Sequence, residues 1–153
     1  MKRATIYKRR DGWYLHAVSR TTVGVGMGTP PEIKVAKDAP PDALGKAAIE
    51  ALDGSKQDVP HPPYSELETG FKPMLDLAGV KTWAAFARNA CNVGIEVDAS
   101  NQWLIIEPWE NVGTKKGFVQ IPNVSVRVRI DAPPEEIGEA IKNAMQLCVP
   151  QFP

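Results

Sequence analysis

The chain has 153 residues, 43% hydrophobic and 24% charged, with 18 basic side chains against 18 acidic ones and a net charge of zero. That is an ordinary globular balance, long enough for one domain with a real core across residues 1–153. The neutral charge argues against a dedicated nucleic-acid binder. No apolar run is long enough to span a membrane, and no apolar signal core follows Lys2 and Arg3, so the expected location is cytoplasmic.

Thr5 to Lys8 reads as a short strand. Arg9-Arg10-Asp11-Gly12 is a hairpin turn with Asp-Gly as its signal, and Trp13 to Ser19 is the returning strand. Thr22 to Met27 reads as a third strand, carrying Gly24 and Gly26 with Gly28 just beyond it. After Thr29-Pro30-Pro31, Ile33 to Lys37 is a weakly alternating strand that leads into a helix. Gly54 to Pro63 is a Pro-rich loop. Tyr64 to Leu77 carries mixed signals, and Val80 to Cys91 reads as a helix with Val80, Trp83, Ala84, Ala87 and Cys91 on one stripe. Val93, Ile95 and Val97 open the next strand, Asp98-Ala99-Ser100-Asn101 turns it, and Gln102 to Trp109 returns. Phe118 to Ile121 and the alternating Val124, Val126, Val128 and Ile130 are two further strands.

One stretch occurs twice. Residues 38–52 read DAPPDALGKAAIEAL, and residues 131–145 read DAPPEEIGEAIKNAM, with seven of fifteen pairs identical. Ordinary composition would give about one by chance. A proline disfavours the α region for the residue before it, so Pro40 and Pro133 should be extended. Pro41 and Pro134 should then be the first helical residues, where a missing N–H does no harm. The apolar positions of both copies follow i, i+3, i+4, i+7, i+8, one face of a helix. Gly45 and Gly138 are poor helix formers, and their recurrence at one position predicts close packing that admits no side chain. The expected fold is α+β, with two pseudo-symmetric strands-then-helix repeats, a mainly antiparallel sheet and helices packed on one face. Repeat one covers about residues 4–54, a connecting insert about 55–91, and repeat two about 93–148, with Trp103 in the place of Trp13 at an offset of 90.

The motifs do not assemble into chemistry. The run Gly24, Gly26, Gly28 invites a phosphate-loop reading, but a dinucleotide fingerprint needs a helix at once, and here Pro30, Pro31 and another strand intervene. His16, His61, Cys91 and Cys148 contain no C-x-x-C or H-x-x-x-H spacing, so no metal or cofactor is expected. Both cysteines read as small core residues. No nucleophile elbow or catalytic cysteine signature is present. The basic hairpin of Lys2, Arg3, Lys8, Arg9 and Arg10, interleaved with Tyr7, Trp13 and Tyr14, is the best nucleic-acid signal. A charged tip that blunts an edge strand explains it as well.

The opening, Lys2 to Lys8 through Gly12-Trp13-Tyr14-Leu15-His16, followed by Thr21 to Val25 and the Pro-Pro strand–helix unit, resembles the immunity proteins of bacterial contact-dependent growth inhibition (CDI) systems. The resemblance covers nearly the whole chain. It implies a cytoplasmic, non-catalytic protein that binds and neutralises the C-terminal toxin domain of a matching surface protein, often a nuclease. It implies no membrane association, no direct nucleic-acid contact and no functional residue by motif. It leaves the oligomeric state open. Inhibitors of basic nucleases are often acidic, whereas this chain is neutral, so a local acidic patch is required. Glu66 and Glu68 in the insert, and Glu107 and Glu110 around Trp109, are the candidate partner-binding residues. The alternative is a small enzyme or nucleic-acid-binding module acting on a nucleotide or RNA through His16 or His61 and the basic hairpin.

Overall fold

The computed structural model describes residues 1–67, 70–113 and 116–149. In chain order the elements are β1 (Arg3–Arg9), β2 (Gly12–Arg20), β3 (Gly26–Val35), α1 (Pro41–Asp53), α2 (Tyr64–Leu67), α3 (Lys72–Ala78), α4 (Trp83–Ala87), β4 (Cys91–Val97), β5 (Trp103–Asn111), β6 (Phe118–Gln120), β7 (Val126–Arg129) and α5 (Pro134–Met145). All strand pairings between these elements are antiparallel, in the order β3-β2-β1-β4-β5, so the fold is α+β as expected. The far edge of β5 is shared. Its first residues pair with β7 and its last with β6.

The proline rule places both long helices. Pro40 and Pro133 are extended, with ψ of 158° and 147°, and α1 and α5 begin at Pro41 and Pro134. Asp42 in one first turn and Glu135 and Glu136 in the other suit the helix dipole. The recurring glycines sit where the two helices cross. A Cβ on Gly45 would lie 1.8 Å from the Pro134 carbonyl oxygen, and a Cβ on Gly138 would lie 1.8 Å from that of Pro41. Each helix thus rests its first turn on the glycine of the other, and the 93-residue offset exchanges the two contacts. Lys142 Nζ adds a hydrogen bond to the Ala39 carbonyl oxygen at 3.0 Å.

Under these helices lies the main core. Ala4 and Ile6 of β1, Trp13 and Leu15 of β2, Val93, Ile95 and Val97 of β4, and Leu104 and Ile106 of β5 meet Leu44, Ala48, Ile137 and Ile141. The alternation is the period-two rule of a strand. It also corrects the equivalence of Trp13 and Trp103. Trp13 is buried in this core, whereas Trp103 neighbours core residue Leu104 and therefore faces the other way, half-buried. A shift of one residue inverts every side chain of a strand, and the two halves match in facing only at an odd offset.

The expectation of helices on one face holds for α1 and α5. The insert supplies the exception, because α3 and α4 pack on the opposite face. There Tyr7 and Tyr14 meet Met74 and Phe86, with Phe71, Trp83 and Phe118 around them. Phe71 and Trp83 stand edge to face at 4.3 Å between ring centres, and Trp83 stacks on Phe86 at 5.5 Å. Arg9 clamps this layer to the β1–β2 hairpin. Its guanidinium lies 4.9 Å from the Phe86 ring and donates to the carbonyl oxygens of Ala85 and Phe86.

Two local expectations are corrected. The predicted strands at Thr22–Met27 and Ile33–Lys37 are one strand, β3, which begins only at Gly26 and runs through Pro30 and Pro31. The prolines fit because the β2–β3 register shifts between His16 and Ala17, passing them over. The predicted helix from Val80 to Cys91 is only Trp83–Ala87, capped by Thr82, whose Oγ1 accepts from the Ala85 N–H. Arg88 is extended, Asn89 has a φ of 62°, and Cys91 opens β4. Asn111 fixes this reversal by donating to the carbonyl oxygens of Ala87 and Ala90 at 2.8 and 2.9 Å.

A concave acidic and aromatic site on the open sheet face

The insert covers only part of the second sheet face. The row Tyr14–Tyr7–Asn92–Trp109, read across β2, β1, β4 and β5, has the insert's aromatic layer over its two tyrosines. The next row is His16–Thr5–Gly94–Glu107, and the one after is Val18–Arg3–Glu96–Ile105. Small residues occupy the middle of the His16 row, so the sheet surface sinks there. The result is a concavity of about 440 Å³, with Gly26 and Gly28 of β3 extending the floor and Trp109 and Phe118 forming a wall. The Trp109 indole leans over Gly94, its Nε1 3.2 Å from where a Cβ would stand.

Among the described residues, three charged side chains line this space: Arg3, Glu96 and Glu107. Arg3 Nε is 3.8 Å from Glu96 Oε2. Burial pushes the Glu107 carboxyl above its ordinary pKa, the neighbouring Glu96 charge adds to that, and Arg3 opposes it. The lining therefore carries one cation against two anions. His16 closes the opposite end. It is 7% exposed, its Nδ1 lies 2.8 Å from the Ala17 carbonyl oxygen, and its Nε2 has no partner among the described residues. A carbonyl partner makes Nδ1 the protonated nitrogen and leaves Nε2 as an acceptor. Burial holds the His16 pKa below its usual value, the Ala17 hydrogen bond and the Glu32 charge opposing it.

Of the candidate partner-binding residues, Glu107 and Trp109 line this concavity. Glu110 alternates to the other side of β5, where its charge bears on Cys148. Glu66 lies on α2 in the insert, away from the lining, and Glu68 falls outside the described residues. Arg3, His16 and Glu96 were not candidates for partner binding, because only pairing between strands distant in sequence brings them into one hollow with Glu107. His61 sits in the loop after α1, its Nδ1 3.2 Å from Thr21 Oγ1, and does not line the concavity.

The basic hairpin has a structural explanation. Trp13, Tyr14 and Tyr7 are buried, so their faces are not open to a base. Arg9 is spent on α4, and Lys8 Nζ lies 4.9 Å from the Trp13 ring. Cys91 and Cys148 are both buried, and the Cys91 thiol donates to the Cys148 carbonyl oxygen. Hydrogen bonding to Cys148 and burial push the Cys91 thiol up, away from the reactive thiolate. Among the described residues, no three His, Cys, Asp or Glu side chains form a group that could hold a metal ion, and no helix is long and apolar enough to cross a membrane.

A protein of unknown function from Neisseria meningitidis has a similar structure, with a TM-score of 0.79 and 22% identity over 97% of this chain and 95% of that one. A chain in a CdiA-CT/CdiI toxin and immunity complex from Yersinia pseudotuberculosis superposes with a TM-score of 0.71 at 17% identity, over 97% of each chain. At these identities the likeness is one of fold. No curated protein matches the sequence. The family model of the CDI immunity proteins, CdiI, does match, over residues 2–148, and the chain belongs to that family.

Proposed function

We propose that this protein binds the C-terminal toxin domain of its matching CDI surface protein in the cytoplasm and blocks it stoichiometrically, without turnover. The observation that carries this reading is the family match across residues 2–148. The open sheet face suits it: concave, aromatic-walled and locally acidic in a chain of zero net charge. We place the toxin contact there, with Glu107 and Trp109 inside it. The neutral, buried His16 and the inward-turned aromatics of the hairpin disfavour the enzyme and nucleic-acid readings.

The test is co-expression with the toxin domain encoded immediately upstream, followed by purification through a tag on the toxin. Survival of the cells and a one-to-one complex are expected, with an interface of roughly 1,600 Å² of total buried surface. Killing by the toxin with no complex would overturn the reading.

A further inference from the structure

We propose that the concavity on the open sheet face is a receptor for one arginine side chain of the toxin domain, held between Glu96 and Glu107 with its plane against Trp109. The identity of the partner rests on the function proposed above. The chemistry of the site rests on the residues themselves.

Three observations converge. Among the described residues the charged lining is Arg3, Glu96 and Glu107, one anion in excess, so a single monovalent cation neutralises it. Glu107 is a carboxylate whose ionised form is disfavoured by burial and by Glu96, against Arg3 and a Gln120 hydrogen bond that favour it, so a further cation beside it is stabilising. Absent side chains let the rings that line this space lie low on the sheet: a Cβ on Gly28 would come within 3.0 Å of the His16 ring, and one on Gly94 within 3.2 Å of the Trp109 indole.

The shape selects guanidinium among cations. It is planar, always charged, and offers five N–H donors in a fixed fork that matches separated acceptors. It is weakly hydrated and stacks on aromatic faces, and here Trp109 and Phe118 supply the wall. An ammonium is a point charge that gains less from a flat wall. A divalent metal would overcompensate the single excess charge.

Two measurements on the intact protein test the site. The first titrates millimolar N-acetyl-arginine-methylamide against its neutral isostere N-acetyl-citrulline-methylamide, following the Trp109 indole N–H resonance. Saturable shifts with the arginine compound alone, lost in Glu107→Gln, are expected. Equal shifts with both compounds, or none, would overturn the site. The second measures binding of the catalytically inactive toxin domain to wild type and to Glu96→Gln/Glu107→Gln. A loss of affinity of about 30-fold or more is expected, with an unchanged melting temperature. Replacing one toxin arginine by glutamine should give a loss that does not add to it. Wild-type affinity in the double variant would reject the arginine receptor and leave the immunity function standing. If the arginine compound binds but the toxin domain does not bind wild type, the function proposed above fails and the cation site stands.

Discussion

The two faces of the sheet use glycine for different ends. On the helix-covered face, Gly45 and Gly138 let two backbones meet, and no atom could be added at either position. On the open face, Gly94 and Gly28 let the Trp109 and His16 rings lie against the sheet, and with Gly26 they line the hollow that Glu107 and His16 share. The first face is apolar and filled, with Ile6, Leu15, Ile106, Ile137 and Ile141 fully buried. The second is half roofed by the aromatics of the insert and otherwise polar. The larger core lies on one side of the sheet, and the proposed toxin contact lies on the other, beside the smaller aromatic core of the insert.

Substitutions should separate the faces. The largest effect is expected from Gly45→Ala or Gly138→Ala. Alanine gains up to about 1 kcal/mol in helix propensity, yet its Cβ meets a backbone carbonyl oxygen at 1.8 Å. Each change should cost about 3 kcal/mol or more in chemical denaturation, and wild-type stability in either would refute the crossing. Ile106→Ala, which hollows the same core without a clash, should cost about 2–4 kcal/mol. Gly94→Ala is the matching change on the open face. Trp109 can move aside, so stability should change by less than about 1 kcal/mol, while toxin binding measured by calorimetry weakens. A loss of fold there would show that the hollow is structural. The smallest effect is a pH dependence. Burial keeps the folded His16 pKa below the ordinary histidine value of 6.5, so the unfolded chain takes up a proton first as pH falls. Stability should decline as pH drops below about 6.5 and level off below the folded pKa. His16→Gln should remove that component from a stability profile between pH 5 and 8.

What the sequence reveals about these faces follows from the range of the interactions involved. Both long helices begin at the proline that a local steric rule selects, and the doubled glycine announces its contact. Trp109 and Glu107 share a face because their spacing is even. Register is a property of pairs, however. Arg3 lies opposite Glu96, and Thr5 opposite both His16 and Gly94, through pairings that no local pattern encodes. The hollow is spread over six strands and was invisible for that reason. The misread helix before Cys91 had the right periodicity, but Asn111, twenty residues downstream of it, holds the chain in a reversal there. Trp13 and Trp103 were matched by identity at an even offset, and strand parity overrode the match.

The central pairing of β1 with β4 joins Arg3 to Glu96 and Lys8 to Cys91. The middle of the sheet is therefore made from the beginning of the chain and a segment far beyond it. Closing so large a loop carries its entropy cost before the contact returns anything, which slows folding relative to a domain built from local contacts. During synthesis β1 can pair with β2 early, but its other edge stays bare until residue 97 has left the ribosome. Until then the nascent chain presents an unpaired, partly apolar strand edge, open to a second copy emerging nearby.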